Sequence, residues 1–247
     1  MRRLLIAPIL FCCVFSLYAQ NFEYKWVRVP IDSTYDRSGE NAVSKLVDKF
    51  SANMGDIMEI IAYSSDEMSK GRPESGLSNL AADALLFGAQ PFLNKEDAVL
   101  SVTNYGGIRA DFPKGAIRIY DILSVFPFDN SLVIVDVSGK DLIKFFDRFA
   151  ARNYFEALGN VEIVLKDNKY KKLLVNGAPI NPDRTYRIVT IDFLLGGGDS
   201  MNIKSMAKNV VETGLFIRDI VIDYVKDLTS KGIVLSNQGD SRIIIEE

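Results

Sequence analysis

The stretch LVIVDVSGKDLIKFFDRF, residues 132–149, decides the fold class. Its first six residues form an almost unbroken apolar run, which is typical of a strand that is buried on both faces. From Gly139 onward the spacing becomes that of a helix with one apolar stripe, made by Leu142, Phe145, Phe146 and Phe149. A buried strand that leads directly into an amphipathic helix indicates a domain in which helices pack on sheets.

Similar patterns on both sides of this stretch extend the prediction along the chain. Asp167 and Asn168 lie between two apolar segments and indicate a hairpin turn. Strands are predicted at 24–30, 57–63, 98–102, 161–166, 170–175, 186–191 and 242–245, and helices at 38–53, 75–85, 121–125 and 215–228. This order predicts an α+β fold, a single mixed-sheet domain with helices packed on the sheets. We expect that domain at 66–247, preceded at 21–65 by a lead-in made of a strand and a helix.

Residues 1–20 are predicted to be a secretory signal peptide. A basic start precedes an apolar run at 4–15, which is shorter than the roughly 20 residues of a typical membrane span. Ala19 then offers a small residue near the expected cleavage point. Both cysteines, Cys12 and Cys13, lie inside this segment; a lipid anchor there ranks lower, because large apolar residues precede them. The sequence therefore predicts export to the periplasm or cell surface of a bacterium, with no transmembrane segment in the mature chain.

Composition limits the classes of function. The 247 residues are 48% hydrophobic and 25% charged, which are values of a globular protein. A formal net charge of -3 gives no broad basic surface, so no nucleic-acid polymer is expected as a partner. The chain contains no histidine. This absence excludes a Ser-His-Asp or Cys-His nucleophile system and any histidine-ligated metal site formed by this chain.

Three loops next to predicted strands carry the candidate binding chemistry. NYGGIR at 104–109 combines two glycines with an arginine, whose guanidinium suits a phosphate or a carboxylate. FPFDN at 126–130 places two aromatic rings beside a proline, which suits stacking on a flat ligand. DFLLGGGD at 192–199 leads three glycines into Asp199, a possible acceptor for ribose hydroxyls.

Each loop also has a purely structural interpretation. The first can be a tight turn with a surface arginine, the phenylalanines of the second can belong to the core, and the glycine run can be a linker. Asn79 and Asp83 follow Arg72 and Glu74 near a helix start and lie four residues apart. They are either candidate site residues or part of a solvated helix face.

Four segments occur in an order that resembles the C-terminal domain of the 5'-nucleotidase family, which includes periplasmic UDP-sugar hydrolases and 2',3'-cyclic phosphodiesterases. They are GRPESGLSNL at 71–80, NYGGIR at 104–109, FPFDN at 126–130 and GGGD at 196–199. The resemblance covers residues 58–245 and implies the α+β fold of that domain. It also implies that the domain binds the nucleoside part of a nucleotide substrate.

The resemblance assigns a role to seven positions. It implies that Phe128 and Phe193 sandwich the base and that Asn130 contacts the base. It further implies that Asp199 binds the ribose hydroxyls and that Asn104 and Arg109 face the phosphate and the sugar. Arg72 is implied as a further phosphate-binding arginine.

The sequence departs from the family pattern at three places. Tyr105 stands where a small residue is usual, Asp129 where glycine is frequent, and Ser200-Met201 where a glycine and an aromatic residue are usual. We expect Tyr105 and the Ser200-Met201 pair to narrow the nucleoside pocket.

Full-length members of the family also carry a metallophosphatase domain, which binds two metals through Asp, His and Asn. Without histidine this chain has no counterpart of that domain, so we expect no catalytic residue, no cofactor and no metal in it. Divalent metals are expected only on a separate metallophosphatase partner. The resemblance therefore implies the nucleotide-recognition half of a split periplasmic 5'-nucleotidase, inactive alone. The alternatives are a stand-alone nucleoside- or nucleotide-binding protein and, third, a domain kept for interaction only.

Overall fold

A computed structural model of the chain describes residues 24–28, 42–51 and 54–246. The chain divides into two compact units, residues 1–48 and 49–247. Residues 24–28 have no regular secondary structure, and a helix spans Ala42–Ser51. The predicted signal peptide with both cysteines lies outside the described residues, as does the end of the strand predicted at 24–30. The boundary predicted at residue 65 stays a prediction.

The described residues form six helices and eleven strands, several of them joined by short 3₁₀ turns. The helices are α1 (Ala42–Ser51), α2 (Gly76–Ala89), α3 (Ile119–Val125), α4 (Gly139–Arg152), α5 (Asp192–Leu195) and α6 (Ile217–Ser230). The strands are β1 (Ile60–Ser64), β2 (Val99–Thr103), β3 (Gly115–Arg118), β4 (Ser131–Ser138), β5 (Ala157–Gly159), β6 (Val161–Lys166), β7 (Lys169–Val175), β8 (Ala178–Pro179), β9 (Thr185–Ile191), β10 (Ala207–Phe216) and β11 (Ile243–Glu246).

A five-stranded mixed sheet lies at the centre, with the strand order β10-β4-β9-β2-β5. β2 and β9 are parallel neighbours, while β4 runs antiparallel to β9 with Leu132 opposite Ile191. The chain therefore leaves β2 and β9, and enters β4, at one edge of the sheet. This topology brings the three candidate loops, which are far apart in sequence, to the same edge.

Two smaller sheets complete the fold. β11, β6, β7 and β8 form a four-stranded sheet in which β11 is parallel to β6, and β1 pairs with β3. Asp167 and Asn168 both adopt left-handed backbone angles between β6 and β7, which confirms the predicted hairpin. The predicted α+β class is confirmed, with the strands distributed over three sheets and helices packed on them.

Two helices begin where the sequence predicts. Ser75 precedes α2, and its hydroxyl accepts a hydrogen bond from the backbone N of Ser78 at 3.2 Å, a typical N-cap. α4 begins at Gly139, where an added Cβ would lie 2.0 Å from the carbonyl oxygen of Asn181. Glycine therefore lets the start of α4 lie directly against the turn before β9. The four members of its predicted apolar stripe are all buried: Leu142, Phe145, Phe146 and Phe149.

The polar face of α2 is not solvated. The guanidinium of Arg242 holds both carboxylate oxygens of Asp83 at 2.7 and 2.9 Å, and Asn79 donates to Glu74 at 2.9 Å. Glu74 also accepts from the backbone N of Ser241 at 2.6 Å. These side chains bind the C-terminal segment to α2, so Asn79 and Asp83 have a structural role.

Within the described ranges, no helix is long and apolar enough to cross a membrane.

Candidate functional site

A cleft opens at the edge of the central sheet where β2 and β9 end. It encloses about 250 Å³, and we call it the aromatic cleft. Its lining residues are Asn104, Gly106, Gly107, Arg109, Phe128, Asn130, Phe193 and Asp199. Six of the seven residues that sequence analysis proposed for the site therefore lie together. The seventh, Arg72, does not line this cleft.

Two phenylalanine rings form the walls of the aromatic cleft. Phe128 and Phe193 are each 46% exposed, whereas Phe126 in the same loop as Phe128 is buried in the core. The interpretation of FPFDN as core is thus right for Phe126 and wrong for Phe128. The guanidinium carbon of Arg109 lies 5.9 Å from the centre of the Phe128 ring. Exposed ring faces beside a cation suit a flat ligand that carries an anion.

Hydrogen bonds at the end of β9 fix the backbone of Phe193. Its backbone N donates to Oδ1 of Asp192 at 2.7 Å. The other carboxylate oxygen of Asp192 accepts from the hydroxyl of Ser131 at 2.8 Å, which joins the end of β9 to the start of β4. On the far side, Gly198 lies so close that an added Cβ would stand 2.3 Å from the ring of Phe193. The glycine run therefore makes room for this ring, and it is not a plain linker.

The opposite wall is attached to the start of α6. Asp129 forms an ion pair with Arg218 at 2.5 Å, and the backbone N of Ile217 donates to the carbonyl oxygen of Asn130 at 3.0 Å. These two contacts hold the loop that carries Phe128. Asp129, one of the departures from the family pattern, thus serves to attach the loop.

The polar end of the aromatic cleft is built from Asn104 and Asp199. The Asn104 amide donates to Oδ2 of Asp199 at 2.5 Å, which fixes the orientation of the amide. The side-chain oxygen of Asn104, Oδ1, is buried and finds no hydrogen-bond partner among the described residues. Asp199 adopts a left-handed backbone conformation with φ 49°, which is uncommon outside glycine. The Asp199 carboxylate lines the cleft and suits a ligand that donates hydrogen bonds, as sugar hydroxyls do.

Arg72 lies beside a second cleft, which shares Gly106 and Asp199 with the aromatic cleft. This second cleft encloses about 570 Å³. Its other lining residues are Phe149, Arg152, Tyr154, Glu156, Ser200 and Met201. The two clefts meet at Asp199, so Arg72 is a neighbour of the aromatic cleft and is separated from Phe128 and Phe193.

Arg72 is enclosed on three sides. Its guanidinium carbon lies 4.0 Å from the ring centres of both Tyr105 and Tyr154, so it is in contact with two aromatic rings. Its Nε donates to the carbonyl oxygen of Phe155 at 3.3 Å, and an Nη nitrogen donates to the Tyr154 hydroxyl. The carboxylate of Glu156 lies 3.7 Å from the same nitrogen. Sequence reasoning missed Tyr154 and Glu156, because no motif or spacing marks them.

Glu156 is a buried carboxylate, 5% exposed, between this arginine and the glycine loop. Its Oε2 accepts a hydrogen bond from the backbone N of Tyr105 at 2.7 Å. Burial raises the pKa of the Glu156 carboxyl above its ordinary value, although this hydrogen bond and the Arg72 charge oppose the rise. The chain therefore maintains a buried acid beside Arg72 at a cost in desolvation.

Two departures from the family pattern lie elsewhere than expected. Tyr105 is buried, its hydroxyl donates to the carbonyl oxygen of Gly71 at 2.6 Å, and its ring faces Arg72. Ser200 and Met201 line the second cleft. None of the three lines the aromatic cleft, so the expected narrowing of the nucleoside pocket is wrong. The departures instead shape the surroundings of Arg72.

Acidic side chains occur in both clefts without forming a metal centre. Across residues 24–28, 42–51 and 54–246, no group of three or more His, Cys, Asp or Glu side chains could hold a metal ion. The arrangement offers stacking surfaces, fixed cations and hydrogen-bond acceptors. Such groups suit a flat, hydroxyl-bearing anion.

Comparisons with known proteins identify the family. A family model described as 5'-nucleotidase, C-terminal domain, matches residues 54–208. The chain is similar to Protein UshA of Escherichia coli, 30% identical over 146 residues that cover 58% of this chain and 26% of that protein. It is also similar to the Trifunctional nucleotide phosphoesterase protein YfkN of Bacillus subtilis, 28% identical over 225 residues that cover 82% of this chain and 15% of that protein. The chain thus spans about a quarter or less of the length of these two relatives.

Among solved structures, the chain is similar to a 5'-nucleotidase precursor from Thermus thermophilus. The TM-score is 0.67 at 25% identity, and the match covers 83% of this chain and 43% of that chain. This likeness confirms the fold type that the four motifs implied. Because the family model matches more than half of its residues, the chain belongs to the 5'-nucleotidase C-terminal domain family.

Proposed function

We propose that this chain binds a nucleoside or nucleotide in the aromatic cleft and acts as the recognition half of a split periplasmic 5'-nucleotidase. A metallophosphatase on a separate polypeptide would supply the hydrolytic step. The observation that carries the proposal is the convergence of two exposed phenylalanine rings, a carboxylate and an arginine on one cleft. These residues come from three loops that are separate in sequence.

The walls of the cleft suit a nucleobase. Phe128 and Phe193 offer the flat faces on which a base stacks, and each such contact contributes about 1–3 kcal/mol. Asn130, on the same loop as Phe128, offers both a donor and an acceptor to the edge of the base. This combination of two rings and one amide selects for an aromatic heterocycle over a plain sugar.

The polar end suits the rest of a nucleotide. Asp199, oriented by the Asn104 amide, presents a carboxylate as acceptor for the ribose hydroxyls. Arg109 at the aromatic cleft and Arg72 at the second cleft present the cations for a phosphate. The phosphate is therefore proposed to lie on the side of the ribose that faces these two arginines.

The hydrolytic step needs groups that the aromatic cleft lacks. Two-metal hydrolysis activates a water molecule and neutralises charge on the phosphoryl group. The two arginines neutralise charge, but a guanidinium stays protonated and does not generate hydroxide. With no histidine among the 247 residues, we assign hydrolysis to a metal-binding partner.

Calorimetric titration tests the binding step. We expect adenosine and AMP to bind the wild-type chain, and we expect Phe128→Ala and Phe193→Ala each to weaken both ligands by about 1–3 kcal/mol. Phe92→Ala is the matched control, since Phe92 is 36% exposed and lines neither cleft. The proposal is contradicted if both cleft variants bind adenosine and AMP with the affinity of the wild type.

A mixing assay tests the split arrangement. The chain is combined with a metallophosphatase isolated from the same periplasm, and phosphate release from AMP is compared with that of each component alone. We expect the mixture to exceed the sum of the two, and Phe193→Ala to abolish the gain. A chain that binds AMP but never stimulates hydrolysis is a stand-alone binding protein instead.

A further inference from the structure

The surroundings of Arg72 are more elaborate than a surface arginine requires. The guanidinium is in contact with two aromatic rings, its Nε donates to a backbone carbonyl oxygen, and a buried carboxylate lies 3.7 Å from one of its nitrogens. Yet the side chain remains 39% exposed. Two of its partners, Tyr154 and Glu156, line the second cleft.

We propose that Tyr105, Tyr154 and Glu156 are positioning residues, which hold Arg72 in one orientation so that the chain prefers a phosphorylated to an unphosphorylated nucleoside. This inference rests on the proposed function. A free arginine side chain loses rotamer freedom when it binds an anion, which weakens the interaction. Here the rings and the carboxylate already restrict the Arg72 side chain in the free protein. Ligand binding therefore does not lose free energy by ordering it.

The three positioning residues differ in how they are themselves held. Tyr105 is 4% exposed, and its hydroxyl donates to the carbonyl oxygens of Gly71 and Pro73 at 2.6 and 3.3 Å. The Tyr105 ring therefore fixes one face of Arg72 relative to the loop that carries Arg72. Glu156 is tied to the glycine loop through the backbone N of Tyr105.

Tyr154 is the residue on which a test can be built. It is 40% exposed, so its replacement does not open the core. It supplies one ring face to Arg72 and accepts a hydrogen bond through its hydroxyl. If it acts only through Arg72, removing it has no further effect once Arg72 is gone.

The experiment is a double-mutant cycle on the ratio of the adenosine Kd to the AMP Kd, measured by calorimetry on the full chain. We expect Tyr154→Ala to lower this ratio about five- to tenfold, because AMP binding must then order the Arg72 side chain. Tyr154→Phe keeps the ring face and should retain most of the preference. Arg72→Ala should lower the ratio at least as far as Tyr154→Ala, and the double variant should match Arg72→Ala.

The outcomes separate this inference from the proposed function. Tyr120→Ala is the control, because Tyr120 is a similarly exposed tyrosine that lies on α3 and lines neither cleft. If neither ligand binds the wild type, the proposed function and this inference both fail. If both ligands bind and Tyr154→Ala leaves their ratio unchanged, or if its effect adds fully to that of Arg72→Ala, the positioning role is overturned and the proposed function stands.

Discussion

At the scale of single residues, the aromatic cleft depends on space as much as on contacts. The ring of Phe193 occupies the position where a side chain at residue 198 would begin. Phe193 is also directed by Asp192, which accepts a hydrogen bond from its backbone N. The position of this wall therefore depends on the absence of a side chain at residue 198 and on the carboxylate of Asp192.

Gly198→Ala is therefore expected to displace the Phe193 ring and to weaken adenosine binding. The added Cβ would stand 2.3 Å from a ring carbon, too close for any ordinary contact. We expect a loss of about 1–3 kcal/mol in binding, the value of one stacking face. Gly196→Ala is the control, because its Cβ would meet only backbone oxygens at 3.4 and 3.5 Å. Titration decides the matter, and equal affinity in the two variants would contradict the role of Gly198.

Glu156→Gln is expected to change how stability depends on pH. Burial raises the pKa of the Glu156 carboxyl, so folding favours its neutral form. The wild type therefore loses stability as pH rises from the ordinary glutamate pKa through the raised value. The glutamine variant still offers an oxygen to the backbone N of Tyr105 and lacks this loss.

The measurement is the free energy of unfolding of both proteins between pH 4 and pH 8, from denaturant titrations. The difference should grow in favour of Glu156→Gln as pH rises and then level off. Glu162→Gln is the control, since the Glu162 side chain is 49% exposed. Parallel profiles for Glu156→Gln and the wild type would show that the carboxyl is not perturbed by burial.

At the scale of elements, the site is a product of strand order. β2 and β9 are parallel neighbours, so Asn104 after β2 and Phe193 after β9 emerge at one edge. β4 enters at that edge because it runs antiparallel to β9, which brings Phe128 and Asn130 to the cleft. No single loop forms the cleft. The order and direction of these three strands bring its three loops together.

The start of α4 offers a test at this scale. Gly139 lets the helix lie against the carbonyl oxygen of Asn181, which an added Cβ would approach to 2.0 Å. Gly139→Ala is expected to lower the free energy of unfolding by about 1–3 kcal/mol, the usual range for overpacking. Lys140→Ala, one residue along the exposed side of α4, should change it by less than about 0.5 kcal/mol. A stable Gly139→Ala protein would show that the turn before β9 can move away.

The elements that sequence predicts well are those that local patterns decide. The N-cap at Ser75, the glycine at the start of α4 and the hairpin at 167–168 are each specified by residues within a few positions. The surroundings of Arg72 are not specified by neighbouring residues in the sequence. Tyr154 is 82 residues away in the sequence and meets Arg72 only in the folded chain. Long-range packing of this kind leaves no periodic trace in the sequence.

At the scale of the whole molecule, the C-terminal segment closes the larger unit. β11 adds to β6 in parallel, and just before it Arg242 binds Asp83 on α2 and the carbonyl oxygen of Leu158 in β5. The Arg242 side chain is only 12% exposed. One arginine thus joins a helix, a strand of the central sheet and the end of the chain.

Arg242→Ala is expected to destabilise the protein by about 1.5–3 kcal/mol, because it removes charge-assisted hydrogen bonds and leaves Asp83 without its partner. Lys171→Ala removes an exposed ion pair with Glu246 and should cost at most about 1 kcal/mol. Urea denaturation of the two variants measures the difference. Equal stability would mean that the C-terminal segment does not contribute to closing the fold.

The account as a whole depends on one binding mode, and a crystal structure of the chain grown with adenosine tests it most directly. We predict adenine stacked between the rings of Phe128 and Phe193, with the ribose hydroxyls hydrogen-bonded to Asp199. Adenosine bound at another place, or the two rings closed on each other with the nucleoside outside, would contradict the account.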